Sequence, residues 1–237
     1  MASPEARRMI SVILPTLNAE ASLGDTLTAL IPAAVEGVVR EVIIVDGGST
    51  DRTLRIADAF GAIVISSRPG RGLQLIAGAA AARGSWLLFL HADTNLEPGW
   101  ERETAQFMER VELGKCPPAA AVFRFTLDDL GVMPHLVEAG VALRCALLKL
   151  PYGDQGLLMQ RILYDEIGGY RPLPLMEDVD IVRRLGYRRM TMLRARAVTS
   201  ASRYRRDGYA IRIARNLSCL LLYTLRVPLH VIVRMYG

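Results

Sequence analysis

Four large apolar residues in a row, 87–90, constrain the fold of this chain more than any other feature. A run of this kind indicates a strand buried on both faces, as in parallel sheets that are covered by helices. The strand is followed at once by His91-Ala92-Asp93. Ligands of open α/β sheets bind beyond the carboxyl ends of the strands, so Asp93 is well placed to hold a hard cation. On this residue alone, a simple capping role explains Asp93 equally well.

Two earlier strands end in polar loops of the same kind. Residues 10–14 form the first strand, which runs into Pro15-Thr16-Leu17-Asn18. Thr16 and Asn18 place short polar side chains at the carboxyl end of this strand, although a turn or cap role explains them equally well. The helix that follows is predicted over 21–30 and is expected to stop at Pro32.

The second strand, 41–45, ends in Asp46-Gly47-Gly48. Asp46 lies at the tip of the strand, where its carboxylate can accept hydrogen bonds from a ribose or a base. The two glycines let the backbone approach a ligand closely. Asp51 comes just before the next helix and is better explained as a helix cap than as a ligand contact.

A basic, glycine-rich loop, 68–72, joins a third strand at 62–66 to a helix at 73–83. Arg71 and the free backbone N–H groups of a helix start both favour a bound phosphate. The loop lacks the Lys-Ser/Thr ending of a P-loop and the spacing of GxGxxG, which excludes those two motifs. Strands and helices therefore alternate through the first hundred residues, as in a nucleotide-binding half-sheet with right-handed crossovers.

The second half of the chain has a different pattern. Residues 122–127 alternate between apolar and polar side chains, which is typical of an antiparallel or edge strand. A mostly apolar helix is predicted over 132–150, and Gly153-Asp154-Gln155 precedes a further strand at 157–159.

An acidic pair, Glu177-Asp178, opens a helix that is predicted to end near Gly186. The helix macrodipole alone favours acids in a first turn, which leaves their function open. A loop rich in glycine and proline precedes the pair, which leaves room for one of the acids to serve as a general base.

The last part of the chain, 201–237, is basic and apolar. Its apolar run, 217–233, is too short and too interrupted for a transmembrane helix. Three roles stay open for it: packing on the domain, contact with a membrane surface, or contact with a second copy. The whole chain of 237 residues carries a net charge of +5, which favours an anionic partner of some kind.

Three cysteines without CxxC spacing argue against a disulfide framework and against a zinc site. They favour a reducing compartment instead. The N-terminal residues lack the long apolar stretch of a secretory signal peptide. We therefore predict a cytoplasmic protein, with attachment to the inner face of a membrane as the alternative.

Taken together, the motifs resemble those of the family 2 glycosyltransferases, inverting enzymes of the GT-A fold. The resemblance runs through nearly the whole chain and depends on five segments in the right order. They are Pro15-Thr16-Leu17-Asn18, Val45-Asp46-Gly47-Gly48-Ser49-Thr50-Asp51, His91-Ala92-Asp93, Gly153-Asp154-Gln155 and Glu177-Asp178. The variant Asp93 motif and the segment before Asp178 are most similar to a bacterial subgroup with members described as arsenosugar-biosynthesis transferases.

The resemblance implies an α/β fold: a Rossmann-like, mixed and mostly parallel sheet flanked by helices, with a helical C-terminal tail. We predict a single GT-A domain over 1–200, with a nucleotide-binding half at 1–115 and an acceptor half at 116–200, and the tail at 201–237. The implied activity is metal-assisted transfer of a sugar from a nucleoside-diphosphate sugar to an acceptor hydroxyl.

The resemblance also implies a role for each matching position. Asp178 would deprotonate the acceptor, with Glu177 beside it, and Asp154 and Gln155 would lie on the acceptor side. Asp93 would bind Mn²⁺ or Mg²⁺, with His91, which replaces the first acid of the family's DxD motif, as a second candidate ligand. The residues expected to contact the nucleotide sugar are Pro15, Thr16, Asn18, Asp46, Gly47, Arg71, Gln74, Ala92 and Arg203.

The implied partners are a UDP- or GDP-sugar and an acceptor that the sequence does not identify, with no nucleic acid. Two other functions stay open. A sugar-phosphate nucleotidyltransferase has a similar sheet, but usually carries a long basic glycine-rich loop where this chain has Pro15-Thr16-Leu17-Asn18. A non-catalytic nucleotide-binding module would keep the fold without the transfer.

Overall fold

The computed structural model describes residues 9–148 and 150–236. Within them, eight strands form one mixed sheet. The strands are β1 Ile10–Thr16, β2 Val39–Asp46, β3 Ile63–Ser66, β4 Trp86–Phe89, β5 Thr94–Leu96, β6 Ala120–Asp128, β7 Leu157–Gln160 and β8 Met190–Ser200. Their order across the sheet is β3-β2-β1-β4-β7-β6-β8-β5.

Helices cover both faces of this sheet. The helices of the first half are α1 Leu23–Val35, α2 Thr53–Ala59, α3 Arg71–Ala81 and α4 Trp100–Glu112. The later ones are α5 Val132–Leu148, α6 Arg161–Glu166, α7 Glu177–Leu185, α8 Ser202–Asp207, α9 Tyr209–Thr224 and α10 Leu229–Tyr236. Of the helix predicted over 132–150, residue 149 lies outside the described residues.

The first four strands run parallel to one another, because each is joined to the next by a helix. Thr16 at the end of β1 lies opposite Asp46 at the end of β2. β7 then runs antiparallel to both β4 and β6, and β8 runs parallel to β6 and antiparallel to β5. The predicted mixed, mostly parallel sheet is confirmed.

Strand β4 is buried along its whole length, as its apolar sequence predicts. Its residues alternate between two cores, since successive side chains of a strand point to opposite faces. Leu88 belongs to the core on the side of α1 and α4, and Leu87 and Phe89 belong to the core on the side of α3 and α7. This double burial fixes the position of the loop that begins at His91.

The prediction that Pro32 stops the first helix was wrong, because α1 runs through it to Val35. Proline cannot donate to the carbonyl four residues before it. Pro32 and Thr28 are both exposed, so water can bond the carbonyl of Thr28 instead. The opposite face of the helix, with Leu30 and Ala33, is buried against the sheet, and this burial favours continuation of the helix.

The alternating segment at 122–127 belongs to β6, which is an interior strand rather than an edge strand. One of its neighbours, β8, was not predicted from the sequence at all. β8 alternates buried Leu193 and Ala197 with exposed Arg194 and Arg196. It pairs with β6 from Met190 to Ser200, and the N–H group of Ser200 donates to the carbonyl of Asp93.

The C-terminal tail packs on the domain. Cys219 of α9 and Ile232 of α10 are completely buried in the core that also contains Val179 of α7. In the part of the chain that the structure describes, each helix is either too short or too polar to cross a bilayer.

Candidate active site

A crevice opens at the carboxyl ends of the central strands, and it has two adjoining parts. One part is lined by residues of the first half of the chain, among them Pro15, Thr16, Asn18, Gln74 and Ala92. The other part is lined by Tyr152, Asp154, Asp178 and Thr199, together with residues of α9. Both parts share Arg71, His91, Asp93 and Arg203. Most of the residues predicted from the sequence therefore meet at one place.

Four of the predicted site residues do not line this crevice: Asp46, Gly47, Gln155 and Glu177. Asp46 is the first of them along the chain. It is 4% exposed, and its carboxylate accepts hydrogen bonds from the N–H groups of Gly48 and Ser49 and from the Ser49 hydroxyl. Burial raises the pKa of Asp46, but these hydrogen bonds and one from Thr16 outweigh it and hold the pKa below its usual value. In this structure Asp46 shapes the loop, and its contact with a base stays a prediction.

Gln74 joins the tips of β1 and β2. Its side-chain N–H group donates to the carbonyl oxygens of Thr16 and Val45, both at 2.8 Å. A β-carbon at Gly47 would lie 3.2 Å from the same nitrogen, so glycine leaves room for this bridge. Gln74 is 5% exposed, and its predicted nucleotide contact stays a prediction.

Asn18 joins the loops that follow the same two strands. Its φ of 51° is in the left-handed region, which asparagine tolerates better than most residues. Its N–H group donates to the Ser49 hydroxyl at 2.8 Å, and its side-chain oxygen accepts from the Thr50 N–H group at 2.9 Å. These bonds hold the loop after β1 open towards the crevice.

The loop that carries Asp93 is fixed by strand β8. The Ser200 N–H group donates to the carbonyl of Asp93 at 2.9 Å, and the hydroxyls of Thr94 and Thr199 are 3.0 Å apart. The carboxylate of Asp93 is left facing the crevice, 3.7 Å from the Arg203 guanidinium. Arg203 therefore provides a positive charge next to the candidate metal ligand.

His91 lies beside Asp93, and its imidazole is neutral at physiological pH. Burial, together with the nearby Arg71 guanidinium, lowers its pKa to about 4. Among the described residues, no three histidine, cysteine or acidic side chains are grouped as a closed metal site. Asp93 and His91 supply too few ligands to hold a divalent cation alone, so a cation bound here would need further oxygen ligands from a phosphate or from water. Mg²⁺ prefers oxygen, so the imidazole favours Mn²⁺.

The two acids at the start of α7 face different ways. Asp178 lines the crevice, and its Oδ2 accepts a hydrogen bond from the Gly153 N–H group at 2.9 Å. Glu177 is 1% exposed and is paired with Arg71 at 3.3 Å. Burial raises the pKa of Glu177, although Arg71 opposes the shift. Met176, just before the pair, has a φ of 65° in the left-handed region. Consecutive residues of a helix point about 100° apart, so the two acids diverge.

Gly153 lies between His91 and Asp178. A β-carbon at this position would lie 2.8 Å from Nε2 of His91 and 3.6 Å from the β-carbon of Asp178. The first distance is shorter than real contacts allow, so only glycine fits without a shift of the imidazole. The candidate metal ligand and the candidate base are therefore separated by one residue without a side chain.

Asp154 and Gln155, both predicted on the acceptor side, behave differently. Burial raises the pKa of Asp154 to about 6, and its Oδ1 has no hydrogen-bond partner among the described residues. Gln155, like Asp46, does not line the crevice. It is 1% exposed, donates to the carbonyl of Phe123 and accepts from the Cys145 thiol. Its acceptor contact stays a prediction.

Sequence reasoning missed several residues of the acceptor part, among them Thr199 and Tyr152, and it missed Arg144 behind Tyr152. Thr199 also donates to the carbonyl of Asp154 at 3.1 Å, and so connects β8 to that loop. The guanidinium of Arg144 lies 3.5 Å above the ring of Tyr152, which lines the crevice. Arg144 is an arginine within an otherwise mostly apolar helix, and such an isolated charge was the available signal.

The mixed sheet and the carboxylate-lined crevice at its strand ends define the GT-A class of folds. The family model described as "Glycosyl transferase family 2" matches residues 11–124. Over this part, just under half of its length, the chain is thus similar to the family 2 glycosyltransferases. The arsenosugar-type subgroup stays a prediction.

Two curated relatives match part of the chain. Glucosyl-3-phosphoglycerate synthase of Mycolicibacterium paratuberculosis is 40% identical over 98 residues, which cover 38% of this chain and 30% of that protein. A PGL/p-HBAD biosynthesis glycosyltransferase of Mycobacterium bovis is 37% identical over 109 residues, which cover 40% of this chain and 38% of that protein. The matched region is thus well under half the length of either relative.

Solved structures extend the similarity to most of the fold. One is the crystal structure of glucosyl-3-phosphoglycerate synthase from Mycobacterium tuberculosis in complex with Mn²⁺, uridine diphosphate and glucosyl-3-phosphoglycerate. It has a TM-score of 0.62 and 25% sequence identity, and the alignment covers 93% of this chain and 81% of that one. The shared fold includes the second half of the sheet, which the family model does not reach.

Proposed function

We propose that this protein is an inverting glycosyltransferase that moves a sugar from a nucleoside-diphosphate sugar to an acceptor hydroxyl. The observation that carries the proposal is the position of Asp178, which lies in the same crevice as His91 and Asp93 and is separated from His91 by Gly153. Transfer of this kind needs charge neutralisation on the leaving diphosphate and a base for the attacking hydroxyl. The donor part of the crevice supplies the charge neutralisation, and the acceptor part supplies the base.

The donor occupies the part of the crevice next to Asn18, Gln74 and Ala92. Arg71 and Arg203 line both parts, where their charges stabilise a diphosphate. Asp93 and His91 would hold Mn²⁺ or Mg²⁺, which as a Lewis acid supplies further neutralisation of the departing diphosphate. We take the base to be uracil, because the M. tuberculosis synthase was crystallised with uridine diphosphate and Mn²⁺.

Asp178 acts on the acceptor. Its carboxylate takes the proton of the acceptor hydroxyl while the hydroxyl oxygen forms its bond to the anomeric carbon and the bond to the diphosphate breaks. The Gly153 N–H group orients Asp178 through Oδ2. One base suffices because the displacement has a single step, and the anomeric configuration inverts. Glu177, paired with Arg71, positions the start of α7 rather than touching the acceptor.

A donor panel with the purified full chain tests the proposal. Thermal unfolding is followed with UDP, GDP and their sugars, each with and without Mn²⁺. A true donor at about 100 times its dissociation constant should add about 2.7 kcal/mol to the free energy of unfolding. The stabilised pairs are then assayed for nucleoside-diphosphate release with candidate alcohols. Binding without any release across a broad acceptor set would support the non-catalytic module instead.

Two variants test the metal site, and one assay tests the nucleotidyltransferase alternative. Asp93→Ala should remove the extra stabilisation that Mn²⁺ gives to nucleotide binding, whereas Asp58→Ala, which changes an exposed acid on α2, should keep it. Pyrophosphate release from a nucleoside triphosphate and a sugar phosphate would establish a nucleotidyltransferase and reject the proposal.

Where the protein acts is also part of the proposal. A cytoplasmic location fits a nucleotide-sugar donor, and attachment to the inner face of a membrane stays a prediction. Contact of the tail with a second copy stays a prediction as well.

A further inference from the structure

A groove lies between helix α5 and the sheet, outside the crevice described above. Its volume is about 910 Å³. Small-molecule sites commonly measure about 300–1,000 Å³, so the groove is large enough to hold a ligand. Phe125 lines both the groove and the acceptor part of the crevice, which places the two next to each other. The transfer proposed above gives the groove no role.

Neighbouring residues of β6 and β8 form the floor of the groove. Val122, Arg124 and Thr126 alternate along β6 and therefore point to one face of the sheet. On β8, Met192 is the partner of Val122, and Arg196 is the partner of Arg124. All five residues line the groove. The floor is thus apolar at one end and carries two arginines further along.

A face of α5 with small side chains forms the wall of the groove. Ala139, Ala142 and Ala146 are spaced by three and four residues, which places them on one face of the helix. All three line the groove and are exposed. Larger side chains at these positions would fill the space above the floor, so the alanines keep the groove open.

The two arginines of the floor lie opposite each other. The pairing of β6 with β8 shifts register between Val122 and Arg124, and this shift brings Arg196 rather than Arg194 to the position opposite Arg124. Neither guanidinium has a hydrogen bond or an ion pair with another described residue. Neighbouring strands are about 4.8 Å apart, so the two like charges repel, and an anion bound between them would relieve the repulsion.

The acids that line the groove are engaged elsewhere. Asp129 accepts a hydrogen bond from the Tyr209 hydroxyl at 2.7 Å. Glu138 accepts one from the Leu127 N–H group at 3.0 Å and lies 3.2 Å from the imidazole of His135. In the part of the chain that the structure describes, the groove therefore combines an apolar surface with two positive charges that have no counter-ion.

We propose that the groove binds an amphiphilic anion, a molecule with an apolar body and one phosphate or carboxylate group. The apolar body packs between the alanines of α5 and Met192, whose flexible side chain adapts to the shape of the ligand. The anionic group bridges Arg124 and Arg196, since guanidinium N–H groups pair well with phosphate and carboxylate oxygens. A purely apolar ligand would leave the arginines without a counter-ion, and a small anion would leave the apolar surface in water.

Isothermal titration calorimetry with the full chain tests this proposal and needs no assay of transfer. The probe is decyl phosphate below the concentration at which it forms micelles, compared with decanol and with inorganic phosphate. We expect decyl phosphate to bind one-to-one and more tightly than either of the others. Octyl phosphate should bind about tenfold more weakly than decyl phosphate, because two methylene groups are lost from the apolar contact.

Two variants locate the binding in the groove. Arg124→Gln/Arg196→Gln should lower the affinity for decyl phosphate by about tenfold or more and leave the weaker binding of decanol unchanged. Ala142→Phe fills the space above the floor and should weaken the binding of both compounds.

Each variant has a matched control. Arg55→Gln/Arg102→Gln removes two exposed charges elsewhere, and Ala59→Phe enlarges an exposed alanine of α2. Both should bind decyl phosphate as the wild-type chain does. Far-ultraviolet circular dichroism establishes that every variant is folded.

Four results would overturn the proposal. Decyl phosphate does not bind, or inorganic phosphate binds equally tightly, or the groove variants and their controls behave alike. In the fourth, UDP with Mn²⁺ displaces decyl phosphate, which places the probe in the crevice. If decyl phosphate does not bind and Ala142→Phe turns a stable dimer into a monomer, the groove is a contact between copies. Loss of transfer is not among these results, so the two proposals fail separately.

Discussion

The carboxylate of Glu177 lies 3.3 Å from the guanidinium of Arg71, and this ion pair joins residues 106 positions apart in the chain. Arg71 begins α3 in the first half of the chain, and Glu177 begins α7 in the second half. The pair therefore fixes the first turns of both helices beside the crevice. Because Glu177 points at Arg71, the next residue, Asp178, is free to face the acceptor part.

The Arg71–Glu177 pair predicts a pH dependence of stability. Burial raises the folded-state pKa of Glu177 above its ordinary value of 4.5. Below 4.5 the group is protonated in both states; as pH rises past 4.5 the unfolded chain loses the proton first, so the free energy of unfolding falls. Glu177→Gln removes this loss and should show a smaller fall over the same interval.

Urea unfolding at a series of pH values measures this difference. Glu97→Gln, which changes an exposed glutamate, serves as the control and should follow the wild-type curve. If Glu177→Gln also follows the wild-type curve, the buried carboxyl contributes nothing to the pH dependence and its assigned environment is wrong.

Asp178 predicts a selective loss of transfer. Asp178→Asn keeps the shape of the side chain and its hydrogen bond from Gly153 but cannot take a proton. The turnover number should fall by about 10²- to 10⁴-fold, while the dissociation constant of the nucleoside diphosphate stays within about threefold of wild type. Steady-state kinetics and isothermal titration calorimetry separate the two effects. Asp165→Asn, an exposed acid on α6, should change neither, and substantial transfer by Asp178→Asn would remove the carboxylate from its proposed role.

The closeness of Gly153 to His91 predicts that a substitution at Gly153 weakens nucleotide binding only when metal is present. Gly153→Ala would place a methyl group 2.8 Å from Nε2 of His91, so the imidazole must move. Overpacking of this kind costs about 1–3 kcal/mol. Nucleotide binding with Mn²⁺ should weaken, while the weaker binding without metal should be unaffected. Calorimetric titration in the presence and absence of Mn²⁺ measures both.

The control for Gly153 is Gly24→Ala. Gly24 lies in α1, and a β-carbon there would have no neighbour within 4 Å. Alanine is favoured over glycine inside a helix, so this variant should be as stable as wild type or slightly more stable. Equal weakening of nucleotide binding with and without Mn²⁺ in Gly153→Ala would mean that His91 has no part in the metal site.

The first half of the fold and most of the site could be predicted because their signals are local. The apolar run before His91 ends directly at the residues that line the crevice, and the loop after β1 follows the same pattern. Strand β8 was not predicted, because its apolar pattern is weak and its partner strand is distant in the sequence. Arg194 and Arg196 interrupt its apolar pattern, and Ala197 pairs with Phe125 of β6, 72 positions earlier.

The direction in which each side chain points could not be predicted from the sequence either. Glu177 and Asp178 are adjacent acids, and the pairing of Glu177 with the distant Arg71 distinguishes the buried acid from the one that faces the crevice. The predicted contacts of Asp46 and Gln155 illustrate the same limit. Both residues stand in motifs that belong to the site, yet both side chains are engaged by neighbouring protein groups.

Asp46 predicts a loss of stability that depends on pH in the opposite sense to Glu177. Its folded-state pKa lies below the ordinary value of 3.8. Its stabilising effect is therefore present above pH 3.8, where the unfolded chain is also ionised, and disappears as pH falls through the folded-state pKa. Asp46→Asn should cost about 1–3 kcal/mol at neutral pH, because the donors of Gly48 and Ser49 lose a charged acceptor.

The difference between Asp46→Asn and wild type should shrink as the pH falls from 3.8 to the folded-state pKa, because the folded wild-type carboxyl becomes protonated as well at that pKa. Urea unfolding at neutral and acidic pH measures it, with Asp58→Asn on the exposed face of α2 as the control. A constant difference at all pH values would mean that the loop is held by the shape of the side chain rather than by its charge.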